Sequence, residues 1–198
     1  TDATGNGVPG VTVTFAVTGG GGSITPPTVS TNATGFATLT SWTLGTVAGP
    51  NSVTATVAGL AGSPVTFNAT GLVGPDALLS ITTQPGGASI GAPFTTQPVV
   101  EIRDANGNLT ASSATVTVAI ASGGGTLGGT TTVTAVNGVA TFTNLSLSNT
   151  GAHTLTFTAT GLTSVTSASF IVAAGPPTNI AANSAIAQTA NAGTAVAA

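Results

Sequence analysis

The strongest constraint on this chain is that it repeats itself. Asp2-Ala3-Thr4-Gly5-Asn6 leads into residues 11–17, where Val and Thr alternate, and then into the glycines at 19–22. About a hundred residues later Asp104-Ala105-Asn106-Gly107-Asn108 leads into residues 114–120 and the glycines at 123–125. Laying Thr14 on Thr117 puts Phe15 on Val118, Val17 on Ile120 and Ile24 on Leu127. Further along, Gly35 meets Gly138, Ala37 meets Ala140, Trp42 meets Leu145, Val53 meets Leu155 and Phe67 meets Phe170. Self-similarity of this period means that one supersecondary unit has been copied. Two units of roughly 100 residues suit a pair of antiparallel sandwiches.

The local pattern agrees with an all-β reading. Val11, Val13, Phe15 and Val17 fall on one face of an extended strand, with Thr on the other. In the first unit, strands are expected at residues 11–17, 28–31, 36–42, 52–57 and 64–69. In the second they are expected at 78–83, 97–103, 115–121, 131–136, 139–147, 153–159 and 167–173. Asn137-Gly138 is a hairpin signal. The first unit has no counterpart of the strand at 78–83, so a sheet edge or groove is expected to be bare there. Residues 71–76, with Gly74-Pro75, read as a short linker with few contacts on either side. Residues 176–198 continue the register, with Ile180 on Leu78 and Gly193 on Gly91. They read as an opening strand that either starts a third unit or fills the first unit of another molecule. The expected division is thus 1–73, a sandwich lacking its first strand, 74–175, a complete one, and 176–198, the strand segment.

Charge excludes several function classes. Charged residues make up 3% of the chain, against about 25% in an average soluble domain. Arg103 is the sole base, so no nucleic-acid partner is expected, since phosphate must be neutralised by many cations. A polybasic membrane contact fails on the same ground, and no apolar run is long enough for a membrane helix. With no Cys, disulfides and thiol chemistry are excluded.

The residue types that carry chemistry are sparse, and no catalytic, cofactor-binding or metal-ligating residue is assigned. His153 is the only histidine, and its neighbours read as a core strand, so a structural role is expected rather than a triad or a zinc site. Asp104, Asn106 and Asn108 have the spacing of a calcium loop, but Leu109 and Thr115 stand where that loop wants Gly and Glu. A local turn is the preferred reading, with calcium the weaker one. The glycine runs lack the Gly-Lys-Ser/Thr of a phosphate loop and read as loop or bulge. Glu101 and Arg103 share a strand face. Trp42 is expected in the core near Phe15 and Phe67, with a sugar-stacking platform as the alternative.

The first unit resembles the bacterial immunoglobulin-like domains of the intimin and invasin group. The resemblance rests on Asp2 to Asn6, Pro9-Gly10-Val11-Thr12-Val13-Thr14-Phe15, Thr34-Gly35-Phe36-Ala37, Trp42-Thr43-Leu44-Gly45 and Ser63-Pro64-Val65-Thr66-Phe67. The second unit is similar to a related repeat of large bacterial surface proteins, through Gln97-Pro98-Val99-Val100, Asp104 to Asn108 and Gly138-Val139-Ala140-Thr141-Phe142. The resemblance implies two tandem immunoglobulin-like sandwiches and a non-enzymatic, structural role at the bacterial cell surface, in a filament, fibre or adhesin stalk. The implied partners are copies of the chain or neighbouring repeats, met through the chain ends. The rival reading is an adhesin domain that recognises a host protein or glycan.

Overall fold

Alternating Val/Thr segments bounded by Gly, Asn and Pro leave the chain one way to bury its apolar faces, which is sheet on sheet. The structure is a computed structural model, and it describes residues 1–177 and Ala192. It is all-β, with no helix among the described residues. The first unit contributes β1 (Thr12–Gly19), β2 (Ser23–Thr25), β3 (Thr28–Ser30), β4 (Ser41–Thr43), β5 (Gly49–Thr56) and β6 (Val65–Gly71). The second begins with β7 (Leu78–Thr83), β8 (Ala88–Ser89), β9 (Val99–Arg103), β10 (Thr115–Ser122), β11 (Leu127–Gly128) and β12 (Thr132–Thr134). It continues through β13 (Val139–Thr141), β14 (Ser146–Leu147), β15 (Gly151–Thr158), β16 (Val165–Thr166) and β17 (Phe170–Ala173). Among the described residues no strand of one unit pairs with a strand of the other.

Both units share one sheet. In the first its order is β3-β1-β5-β6, and in the second β12-β10-β15-β17-β8. The registers agree residue for residue: Val17 lies opposite Val53, and Ile120 opposite Leu155. Each ladder then slips by one residue, after Val17 and after Ile120. This β-bulge leads into the glycine run. A Cβ on Gly20 would lie 2.4 Å from Asn51 Oδ1, and one on Gly123 would lie 2.3 Å from His153 Cδ2. Both glycines hold positive φ. The runs therefore bend the bulged strand over a buried polar side chain, with no room for a Cβ.

The opposite sheet separates the units. In the second it is β13-β9-β7, helped by the β11–β14 pair. Val100 and Ile102 of β9 point into the core with no exposed surface, beside Leu79, Ala140, Phe142, Leu145, Leu155 and Phe157. Phe142 and Phe157 tilt together at 5.5 Å, and Phe94 meets Phe170 edge-on at 5.4 Å. The Asn137-Gly138 hairpin forms as expected, with both residues at positive φ and Val136 bonded to Val139.

In the first unit this sheet shrinks to β2-β4. The expected strand at 36–42 survives only as Ser41–Thr43. The reason is the missing partner: Val139–Thr141 is a strand because β9 pairs with it, and residues 36–39 have no such neighbour. Ala37 and Leu39 still turn inward, half-buried, while Phe36 and Thr38 face out. The fully buried apolar core of the first unit reduces to Val13, Phe15 and Val53. The match of Phe67 with Phe170 also fails in three dimensions. Phe67 lies opposite Val53, whereas Phe170 lies opposite His153, the counterpart of Asn51.

This asymmetry predicts unequal costs of truncation. Phe157→Ala should destabilise the second sandwich by about 3–5 kcal/mol, while Phe67→Ala, half-exposed, should cost the first roughly 1 kcal/mol. Denaturant unfolding read by Trp42 emission reports on the first unit and far-UV circular dichroism on both. Phe157→Ala should therefore move the dichroism curve and leave the Trp42 curve nearly in place.

Candidate functional site

Two surfaces stand apart from the ordinary exterior: the joint between the units and an open groove in the first. The joint is built from the second Asp–Asn turn. Asp104 is buried, and its Oδ1 accepts the N–H groups of Asn106 and Asn108 at 2.9 and 2.8 Å. Its Oδ2 accepts Asn108 Nδ2 and the Gly74 N–H of the linker, both at 2.9 Å. The carboxylate thus takes N–H donors on both oxygens. The Asn108 side chain, the Gly74 N–H and the turn's own N–H groups pull its pKa down to about 2.

Asn108 reaches across the joint. Its Oδ1 accepts the Ala48 N–H at 3.0 Å, and its Nδ2 donates to the Thr46 C=O at 2.9 Å. One amide side chain therefore grips both backbone directions of a first-unit loop. Arg103 braces the turn, donating from Nη1 to the Gly107 C=O at 2.5 Å while its Nη2 pairs with Glu101. In the linker, Asp76 accepts Ser112 Oγ at 2.5 Å. Leu72 and Val73 of the linker and Val47 of the gripped loop stay exposed. The joint is thus polar and local, without an apolar seam.

The Asp2 turn has the same internal design. Asp2 Oδ1 accepts the N–H groups of Thr4 and Asn6, and Oδ2 accepts Asn6 Nδ2. These bonds, led by those from Asn6, hold its carboxyl well below the usual range. Asn6 Nδ2 spends its other hydrogen on Thr4 Oγ1 at 2.7 Å, where Asn108 spends it on the neighbouring unit.

The groove lies on the face of the first unit that corresponds to the one β7 and β9 cover in the second. One cleft, of about 490 Å³, lies between Phe15, Ala37, Leu39, Trp42, Val53 and Phe67. A second, of about 290 Å³, shares Phe15, Ala37 and Phe67 and extends to Val57, Leu60 and Val65. Phe67, which lines both clefts, is 50% exposed. Among the described residues Ala37, Thr38 and Leu39 make no backbone hydrogen bond.

Residues 1–70 match the family model of the bacterial Ig-like domain (group 1). The open groove lies within the matched residues. No curated protein matches the chain. Among solved structures it is similar to the D0-D1 domain of intimin, at 17% identity and TM-score 0.39, over 87% of this chain and 86% of that one. It is similar to invasin, a bacterial integrin-binding protein, at 19% identity and TM-score 0.35, over 90% of this chain and 35% of that one. It is also similar to a Parabacteroides merdae β-glucuronidase, at 17% identity and TM-score 0.39, over 81% of this chain and 20% of that one.

The residues singled out by sequence fall as follows. His153 is buried on β15, with Nδ1 3.0 Å from the Gly151 C=O and the ring beside Phe170. Asp104, Asn106 and Asn108 form a hydrogen-bonded turn. No group of three or more His, Cys, Asp and Glu gathers as metal ligands among the described residues. Trp42 is half-buried and packs on the Val13-Phe15-Val53 core, lining the groove with Phe15 and Phe67. What sequence reasoning missed is Asn108 as a cross-unit clasp. Its repeat in Asn6 was visible, but only the joint reveals the partner.

Acid should loosen the joint before it unfolds the sandwiches. The Asp104 carboxyl is depressed, so its contribution is complete above about pH 4 and is lost as pH falls toward 2. Thermal unfolding between pH 6 and 2.5 should show a falling midpoint. Asp104→Asn should start lower at pH 6 and fall less. A variant as acid-sensitive as the parent would contradict this role.

Proposed function

We propose that this chain is a structural module of an extracellular bacterial fibre or adhesin stalk, in which Ig-like units are joined end to end. The observation that carries the reading is the joint itself. A stalk must transmit orientation between units without a large interface, and here one Asn side chain and one buried carboxylate do so through backbone groups. The bacterial Ig-like match of residues 1–70 supports a surface setting. Neighbouring repeats or other copies would meet through the ends, and a strand from a neighbour would close the groove of the first unit. The strand segment 176–198, as one such donor, lies outside the described residues apart from Pro176, Pro177 and Ala192.

One observation favours the rival reading of a binding domain for a host protein or glycan. The first unit exposes Leu60, Val65 and Phe67 along its groove, a patch that the second lacks. These residues lie on the face that β7 covers in the second unit, where Leu78 bridges Thr163. The stalk reading explains both surfaces, and the binding reading explains only one.

Small-angle X-ray scattering tests it. The chain should scatter as two bodies in line with a narrow distribution of separations, and Asn108→Ala should broaden that distribution without unfolding either unit. A profile of sandwiches packed side by side, or one indifferent to Asn108→Ala, would overturn the stalk reading.

A further inference from the structure

We infer that the second unit is built around a shear clamp. The segment by which the chain enters it and the segment by which the chain leaves it are bonded side by side, in parallel, and tension along the chain loads those bonds together. This rests on the stalk reading, in which neighbours pull on both ends of a unit, and it names the element that bears the pull.

The entering segment changes sheets. β7 belongs to the β13-β9-β7 sheet and β8 to the opposite one. Gln84-Pro85-Gly86-Gly87 makes the crossing. Gly87 holds a φ of 63°, and a Cβ on it would collide with Thr95 Oγ1.

On both sheets the entering segment lies beside the leaving one. The Ala77 C=O accepts the Thr163 N–H at 2.9 Å, and the Leu79 N–H donates to the Thr163 C=O at 3.0 Å. At the crossing, Gln84 Oε1 accepts the Ala168 N–H at 3.0 Å. Beyond it, Ala88 and Ser89 lie parallel to Val172 and Ala173, and the Ile90 N–H donates to the Ala173 C=O at 2.9 Å. Thr163 stands 85 positions after Leu78, Ala168 84 after Gln84, and Val172 84 after Ala88. The two segments therefore advance in step and in one direction. Ala88, Phe170 and Val172 anchor the far part in the core, where Phe94 meets Phe170 edge-on.

Topology sets the direction of load. In a parallel pair, the start of one strand and the end of the other lie at opposite ends of the ribbon. The linker enters at the Leu78 end, and the chain leaves past Ala173 at the other. A pull on both drags the segments in opposite directions along their own axes. The bonds at Thr163, Ala168 and Ala173 then share the load and must give together, whereas strands pulled apart at one end lose their bonds singly. Forced unfolding is governed by the barrier and not by net stability, so this arrangement matters more than the number of bonds.

Single-molecule force spectroscopy on the full chain tests the clamp. The sequence has no Cys, so introduced pairs define the handles. Val73→Cys with Pro176→Cys, both at exposed positions, pulls on opposite ends of the two segments. Ile90→Cys with Pro176→Cys pulls their adjacent ends apart. At equal pulling speed, the first pair should rupture at a force several-fold higher than the second. Similar forces, or the reverse order, would overturn the inference. Adding Ile90→Pro to the first pair removes the N–H that bonds Ala173 and should lower its rupture force. An unchanged force would put the load elsewhere and would also overturn it. If Ile90→Pro loses the parent's circular dichroism, the comparison of the two handle pairs decides alone. The first pair flanks the second unit only, and the second lies within its span, so neither result depends on how the units are joined. Scattering of Asn108→Ala tests that joint separately, so failure of the clamp is distinguishable from failure of the stalk reading.

Discussion

Val99–Arg103 is paired on both edges, and its Val100 and Ile102 side chains are wholly buried. That ladder turns a curved sheet into a closed sandwich. Where it is present, β13 is a strand, Phe142 is covered, and a continuous core runs from Leu79 to Phe157. Where it is absent, in the first unit, the facing segment loses its pairing and the core reduces to Val13, Phe15 and Val53. The two units have nearly the same turn grammar, so the contrast reports what β7, β8 and β9 do together. An unpaired edge and an uncovered apolar face are unfavourable in water, and both are resolved by adding a strand.

The joint follows from the same continuity. β9 runs into the Asp104 turn, so the strand that closes the sandwich also fixes the turn that grips the preceding unit. Arg103, at the end of β9, braces that turn through the Gly107 C=O. Closing and joining are thus mechanically linked. The chain has little charge with which to make interfaces, and it uses backbone-directed amide and carboxylate bonds instead. Bonds to main-chain groups place few demands on the identity of the gripped residues.

Much of this was legible from residues alone. Alternation of apolar residues with Thr marked β1, β5, β10 and β15, because a half-buried strand imposes period 2 on any sequence. Asn137-Gly138 marked its hairpin, because both residues must take positive φ. Other features were hidden because they depend on partners. Residues 36–42 have strand composition, yet pairing decides whether composition becomes a strand. Phe67 and Phe170 match along the chain and fall at different registers. The glycine runs read as loop or bulge, and the structure adds that they give room to Asn51 and His153. Asn108 was read within its turn, and its grip on Thr46 and Ala48 emerges only when the units are placed together.

Amide hydrogen exchange, resolved residue by residue on the intact chain, tests the central claim most directly. Ala37, Thr38 and Leu39 should exchange close to the rate of an unstructured chain, while their counterparts Ala140, Thr141 and Phe142 should be strongly protected. Equal protection at the two sets would mean that the first unit is already closed, and it would contradict the account.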